Sequence, residues 1–304
     1  VKKMIHISTN SHKIAKAKHQ FIKEMVPLLT KRISSYSKPG SKRFLATILT
    51  DLNLILSGDP NDLSIISTKI NALINGHSNN KKAIKKIFDY DWFITKTKKR
   101  YNAYHLAASL EVNVCVYCNR NYTHTVITKD GKKITRPQFD HFFSKGKNPL
   151  IALSFYNLIP SCSICNSGIK HEADFELSTH NHPYKDDFIA DFAFTYKYTN
   201  EESSGLRIAT ETPNIKAHRT LSDLKTDLIY NTHVSELKEM LRMKYAFSDK
   251  YLEILNNNLL AGINIPRKEL YNIAFGVEQD EKDFGTRPFS KFKSDILKEL
   301  GIIS

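Results

Sequence analysis

The feature that most constrains this chain is its cysteines, all four of which fall in two C-x-x-C pairs. These are Cys115-Val-Tyr-Cys118 and Cys162-Ser-Ile-Cys165, separated by 43 residues. Two such knuckles supply four thiolates, the donor set of a closed tetrahedral Zn²⁺ site. A closed site leaves no position for substrate, so the expected metal is structural, one zinc per chain. A thioredoxin-like redox reading needs a single pair in a βαβ context, which is absent. Unrelated buried thiols would not use every cysteine in two matched pairs. Thiolate–zinc bonds would replace the core that a short unit between the knuckles cannot build alone.

The 304 residues carry 45 Lys and Arg against 31 Asp and Glu, a formal net charge of +14. Residues 1–100 hold 20 of the basic and only 6 of the acidic side chains, so the surplus lies in the first third of the chain. Such an excess makes a polyanion the natural partner. The N-terminal lysines, Lys81, Lys82, Lys85 and Lys86 among them, read either as a DNA tract or as a solvated helical face. No run of 18 apolar residues occurs, so no membrane span is expected. No apolar stretch with a cleavage site follows the basic start, which points to a cytoplasmic protein. Neither a G-x-x-x-x-G-K-[ST] nor a G-x-G-x-x-G motif is present, so no nucleotide-driven motor is expected within the chain.

The patterning predicts an α+β protein, mainly helical around a small zinc-stapled core. Ile14, Ala17, Phe21, Met25, Leu28 and Leu29 form one apolar stripe of a helix over 12–35. Further helices are expected at 42–56, at 62–74 with Leu63, Ile66, Ile70 and Leu73 on one side, at 81–88, and at 97–110. Trp92, beside Phe88, Tyr90 and Phe93, reads as helix packing. Alternating Val112, Val114 and Val116 suggest a strand into the first knuckle. A hairpin should turn at Asp130-Gly131 and return as one strand over 134–143. Beyond that, a strand near 190–198, a long helix over 214–257 and a last helix near 290–300 are expected. The organisation is thus a basic helical region (1–110), a cysteine-bearing core (111–185) and a mixed, mainly helical remainder (186–304).

Between the knuckles stands Gln138-Phe139-Asp140-His141-Phe142-Phe143, followed by Tyr156-Asn157-Leu158-Ile159-Pro160-Ser161-Cys162 and Cys165-Asn166. Asp140 offers a hard oxygen ligand, His141 a base near neutral pKa, and Asn166 a second oxygen that zinc would draw toward the same point. Few protein oxygens with room for water suit Mg²⁺ or Mn²⁺. This order of motifs, over residues 112–170, resembles the HNH endonuclease family with its ββα-metal (His-Me finger) core. The resemblance implies metal-dependent hydrolysis of DNA phosphodiesters. It puts His141 on the general base, Asp140 and Asn166 on the divalent-metal ligands, and Asn157 on the residue that holds the active-site loop and orients the base. It puts the four cysteines on a structural zinc and Lys170 near a phosphate-contacting lysine, four positions after Asn166 rather than the commoner three. The family's frequent Gly-Gly is replaced by Lys145-Gly146-Lys147-Asn148-Pro149.

Cys118-Asn-Arg-Asn-Tyr122, Phe139-Asp-His-Phe-Phe143, Ala152-Leu-Ser-Phe-Tyr-Asn157 and His182-Pro-Tyr184 are further similar to the HNH subunits of bacterial anti-phage systems, the Septu type and retron-associated relatives. That likeness implies antiviral defence beside an ABC/SMC-like ATPase partner, with the chain as an oligomer within a larger complex. Arg120, Lys145 and Lys147 are candidate DNA contacts, with a solvated surface role the alternative for Arg120 and His124. His180 and His182 read as a turn before Pro183 in preference to a metal pair. The alternative to an enzyme is a catalytically inactive, zinc-stapled nucleic-acid-binding or scaffold subunit that docks the ATPase.

Overall fold

The computed structural model describes residues 7, 9, 11–38, 40–97, 99–171, 173–187, 191–200, 204–246, 254, 266, 269, 272, 273 and 275–303. Seven helices come first: α1 (His12–Ser34), α2 (Lys42–Thr50), α3 (Leu52–Ser57), α4 (Pro60–Ile74), α5 (Ser78–Ile87), α6 (Tyr90–Ile94) and α7 (Ala103–Leu110). The Ser11 hydroxyl caps α1 by accepting from the Ile14 N–H, and a capping box of Asp59 and Asp62 starts α4. Along α1 the buried positions are Ile14, Ala17, Phe21, Met25, Leu29 and Ile33. Leu28 is only partly buried.

Three helical expectations change, the helix over 97–110 beginning only at Ala103, where Asn102 caps it. The single helix over 42–56 is two, divided at Asp51. On α4 the inward residue of the last turn is Ile74, while Leu73 is exposed, because the buried arc also takes in Pro60 and Ser67 and so centres on Leu63, from which a step of about 100° per residue puts position 74 about 20° away and position 73 about 80° away. Gly58 closes α3 under steric compulsion: a Cβ there would stand 2.7 Å from the Leu54 carbonyl oxygen.

Among the described residues the strands form three separate antiparallel pairs. In the first, β1 (Val126–Ile127) meets β2 (Lys133–Thr135) across the Asp130-Gly131 turn, with Gly131 at φ +81°. The return strand expected over 134–143 does not continue. Arg136-Pro137 interrupts it, and β3 (Gln138–His141) pairs instead with β4 (Leu158–Ser161), Asp140 opposite Ile159 and His141 opposite Leu158. Proline lacks the ladder donor, which suits a break there. The expected strand at Val112–Val116 is reduced to one bridge, Val114 to Tyr122, since the first knuckle curls the chain back on itself with Cys115 N–H bonded to the Asn121 carbonyl.

In the last third, β5 (Ala193–Tyr198) pairs with β6 (Leu206–Glu211). The long helix expected over 214–257 is three helices, α8 (Ile215–Asp223), α9 (Thr226–Asn231) and α10 (Val234–Ala246). The first break is at Lys225, which takes a left-handed φ of 53°. The expectation for 247–257 lies outside the described residues apart from position 254. The final helix, α11, spans Ser290–Glu299.

Buried apolar side chains gather in two clusters. One runs from Ile7 and α1 through the cysteine region to Tyr184 without a gap at residue 110, and Leu224 at the end of α8 joins it. Phe21 shows this continuity, meeting Phe93, Tyr101 and Phe155 edge-on at 5.6–6.2 Å between ring centres. The second is built from β5, β6 and α8–α11. No helix among the described residues is long and apolar enough to cross a membrane.

Candidate metal centre and active site

The four cysteines are buried, reduced and convergent, their sulfurs all within 4.8 Å of one another. Tetrahedral Zn–S bonds of about 2.3 Å place ligand sulfurs just under 4 Å apart, and Cys118 Sγ lies 4.0 Å from Cys162 Sγ. Donors already point at the sulfurs. The Cys162 N–H reaches Cys115 Sγ at 3.3 Å, and Asn121 Nδ2 reaches Cys162 Sγ at 3.4 Å. Hydrogen bonds from the other three thiols, Cys115 first, pull the Cys162 thiol well below its ordinary range. Chain geometry and donor set fit a structural zinc. Among the described residues this is the one cluster of three or more His, Cys, Asp or Glu side chains so arranged.

The first knuckle also fixes the last third of the chain. Asn119, buried and left-handed at φ 47°, donates Nδ2 to the Phe284 carbonyl and accepts the Lys291 N–H on Oδ1. Tyr230 donates its hydroxyl to the Cys118 carbonyl at 2.6 Å. Arg120 belongs to this junction. Its guanidinium donates to His233 Nε2 at 2.7 Å, which turns it toward the helical remainder.

Beside the metal centre lies a cleft of about 790 Å³, lined by Asp140, His141, Lys145, Lys147, Asn166 and Lys170 together with Tyr90, Arg136 and Gln138. His141, at the end of β3, is buried and has Ala152 O 2.9 Å from Nε2. A carbonyl only accepts, so the proton sits on Nε2 and Nδ1 keeps its lone pair. Burial above all lowers the imidazole pKa to about 4, with Asp140 opposing, so the ring is neutral at pH 7. Tyr90 packs edge-on against it at 4.5 Å and donates its hydroxyl to the Phe139 carbonyl.

Asn157 is fully buried and staples the loop that follows β3. It accepts the Phe143 N–H at 2.8 Å and donates Nδ2 to the carbonyls of Phe143 and Ile151 at 3.1 and 3.0 Å. That loop carries Ala152, so the staple reaches His141 through one carbonyl.

Asp140 has both oxygens engaged. Tyr117 donates to Oδ2 at 2.6 Å, and Lys170 Nζ stands 3.2 Å from Oδ1 and 2.7 Å from the His141 carbonyl. Lys170 was expected to face phosphate; it is instead almost wholly buried as the counter-ion of Asp140. It ends a wide π-helical turn, Ile164–Lys170, whose geometry turns its side chain inward under the cleft floor. Asn166, on the same turn, gives Nδ2 to Gln138 Oε1; no bond joins it to Asp140. Lys147 is exposed and ion-paired with Asp174. Lys145 lies over the Tyr90 ring at 4.8 Å.

The flanking histidines form no metal pair. His180 stacks on Phe175 and bonds Asp223, and the His182 carbonyl accepts the N–H groups of Lys185 and Asp186 in a turn. His124 stacks on Tyr122 at the surface. Sequence reasoning gave no role to Tyr117, Gln138, Tyr90 or Arg136. Tyr117 stood in plain view inside the first knuckle, whereas Tyr90 carries no local signal at all. Comparison with family models, curated proteins and solved structures finds no match to this chain.

Proposed function

We propose that the chain is a metal-dependent endonuclease of the HNH type that hydrolyses DNA phosphodiester bonds, with the four cysteines holding a structural zinc. The observation that carries this reading is His141, whose Nε2–H is committed to the Ala152 carbonyl while the ring borders the same cleft as Asp140 and Asn166. An unprotonated Nδ1 in a neutral ring is the state a general base needs to take a proton from attacking water. Asn157 acts one step back, as a positioning residue: it holds the loop whose carbonyl fixes the tautomer.

Asp140 and Asn166 would hold Mg²⁺ or Mn²⁺. A carboxylate and an amide oxygen are hard donors that suit these ions, and the ammonium of Lys170 at Oδ1 already makes this a cation position. When bound, the ion supplies Lewis-acid stabilisation of charge on the phosphate and the leaving oxygen. Lys145 and Lys147, exposed on the cleft rim, are placed to meet phosphates. A single such site cuts one strand per visit. The likeness to anti-phage HNH subunits extends the proposal to a defence effector working with an ABC/SMC-like ATPase.

One observation favours a second reading, a zinc-stapled DNA-binding or scaffold subunit without catalysis. Both Asp140 oxygens are satisfied by the chain's own Tyr117 and Lys170. Supercoiled plasmid incubated with the protein in EDTA, Mg²⁺ or Mn²⁺ separates the two. Conversion to open-circle or linear DNA only with a divalent ion supports the nuclease. Plasmid binding without cutting in either metal leaves the second reading.

A further inference from the structure

The first third of the chain, the β1–β2 hairpin and the residue that follows it bring together five cations, only one of which lines the cleft. Three surround one ring: Arg136, Lys96 and Lys133 lie 5.5, 5.7 and 5.8 Å from the centre of Tyr104. Arg136 also lines the cleft, and its Nε is buried without a hydrogen-bond partner. The other two, Arg100 and Arg32, lie over Trp92 at 3.9 and 4.4 Å.

The two groups are electrostatically continuous. Burial first and Arg100 second lower the Lys133 pKa, and burial first and Arg32 second lower that of Arg100. Asp89 acts on Arg32 at a distance. Yet among the described residues none of the five forms an ion pair with a carboxylate.

Like charges assembled without counter-ions raise the folding free energy, so something must hold them in place. Backbone carbonyls do. Arg136 donates to Pro137 O at 2.6 Å, Lys133 to Thr97 O at 2.5 Å, Arg32 to Ile87 O at 2.9 Å, and Arg100 to Trp92 O. Four of the five side chains are therefore fixed in advance, and fixed cations lacking counter-charge attract a polyanion.

We propose that Arg136, Lys133, Lys96, Arg100 and Arg32 form a track for the phosphate backbone of DNA, leading out of the cleft over Tyr104 to Trp92. This rests on the nuclease reading only for which substrate enters the cleft. A duplex carries a negative charge every ~1.7 Å along its axis, so each cation of so close a set finds a phosphate. A track that starts inside a concave cleft is reached by a chain-like polyanion and not by a bilayer. It also gives Trp92 a role other than core packing: its ring is the platform that spaces two guanidinium groups.

The test measures anisotropy of a fluorescein-labelled 30-base-pair duplex with the zinc-loaded, full-length His141→Ala protein between 50 and 200 mM salt. Adding Lys96→Gln, at an exposed side chain, flattens the log–log salt slope by about 0.9, which over this range is about a 3.5-fold change in relative affinity. Lys133 and Arg136 also bond the backbone, so their part is read on unsubstituted side chains: the duplex protects Lys96 and Lys133, but not exposed Lys225, from acetylation read by mass spectrometry. An unchanged slope with both lysines unprotected overturns the track. So does binding of phosphatidylglycerol vesicles with no binding of the duplex. Protection in a wild-type protein that never cuts plasmid keeps the track and removes the nuclease reading; cutting with unprotected lysines does the reverse.

Discussion

Replacing Asn157 by Ala removes three buried hydrogen bonds at once, and their geometry sets the cost. The Phe143 N–H and the Phe143 carbonyl have no other partner, while the Ile151 carbonyl keeps the Ser154 N–H. Two orphaned buried groups at roughly 1–3 kcal/mol each give a loss of about 4 kcal/mol. With a urea m-value near 3 kcal/mol/M the midpoint falls by about 1.3 M. Asn157→Asp separates hydrogen bonding from volume. The near-isosteric carboxylate keeps an acceptor for the Phe143 N–H but turns an oxygen on two carbonyls, so it destabilises at least as much as Ala. Urea denaturation of zinc-loaded protein followed by tryptophan fluorescence measures both, with exposed Lys129→Ala as control. An Asn157→Asp midpoint within about 0.3 M of wild type would refute the staple, since a neutral outcome means the bonds carry less than ~1 kcal/mol.

Three further outcomes follow from the same geometry. Elemental analysis finds one zinc per chain, and Cys115→Ser or Cys162→Ser unfolds the cysteine region rather than merely slowing any activity; folded wild type without zinc would exclude the metal centre. His182, whose pKa burial and then Lys185 and Lys216 lower to about 3, stays neutral in the fold while an unfolded imidazole protonates near 6.5. Its stability contribution is therefore complete above pH ~6.5 and lost as pH falls toward 3, by up to ~1.4 kcal/mol per unit. Melting curves from pH 7 to 4 should diverge between wild type and His182→Phe, and parallel curves would contradict this. Lys170→Met leaves the Asp140 carboxylate buried without its cation, costing about 3–5 kcal/mol without divalent metal. If Asp140 is a metal ligand, the variant gains more thermal stability from Mn²⁺ than wild type does; a smaller gain counts against it.

What could be read in advance was local. The spacing of the cysteine pairs alone predicts the cluster of four sulfurs, and the order of Asp140, His141, Asn157 and Asn166 marked a candidate site because each stands near a knuckle or a strand end. β6 also carries a local signal, since buried Leu206 and Ile208 alternate with Arg207 and Ala209. The single long helix expected over 214–257 ran past two breaks, since the chain turns at Lys225 and again before α10. The rest depended on partners far along the chain. Lys170 turns inward because Asp140 lies across the cleft floor, and Arg120 because His233 approaches from the second core. No window of sequence around either residue contains that partner.

We propose that His141 is the base of a hydrolytic site, and single-turnover cleavage of an end-labelled duplex at saturating protein with Mg²⁺ or Mn²⁺, comparing wild type with His141→Ala, reads its part in the chemical step. Removing a general base costs a factor of roughly 10²–10⁴. A base at His141 gives a rate loss of that order with zinc content and duplex affinity unchanged. Equal rates in the two proteins under the same metal conditions would contradict it.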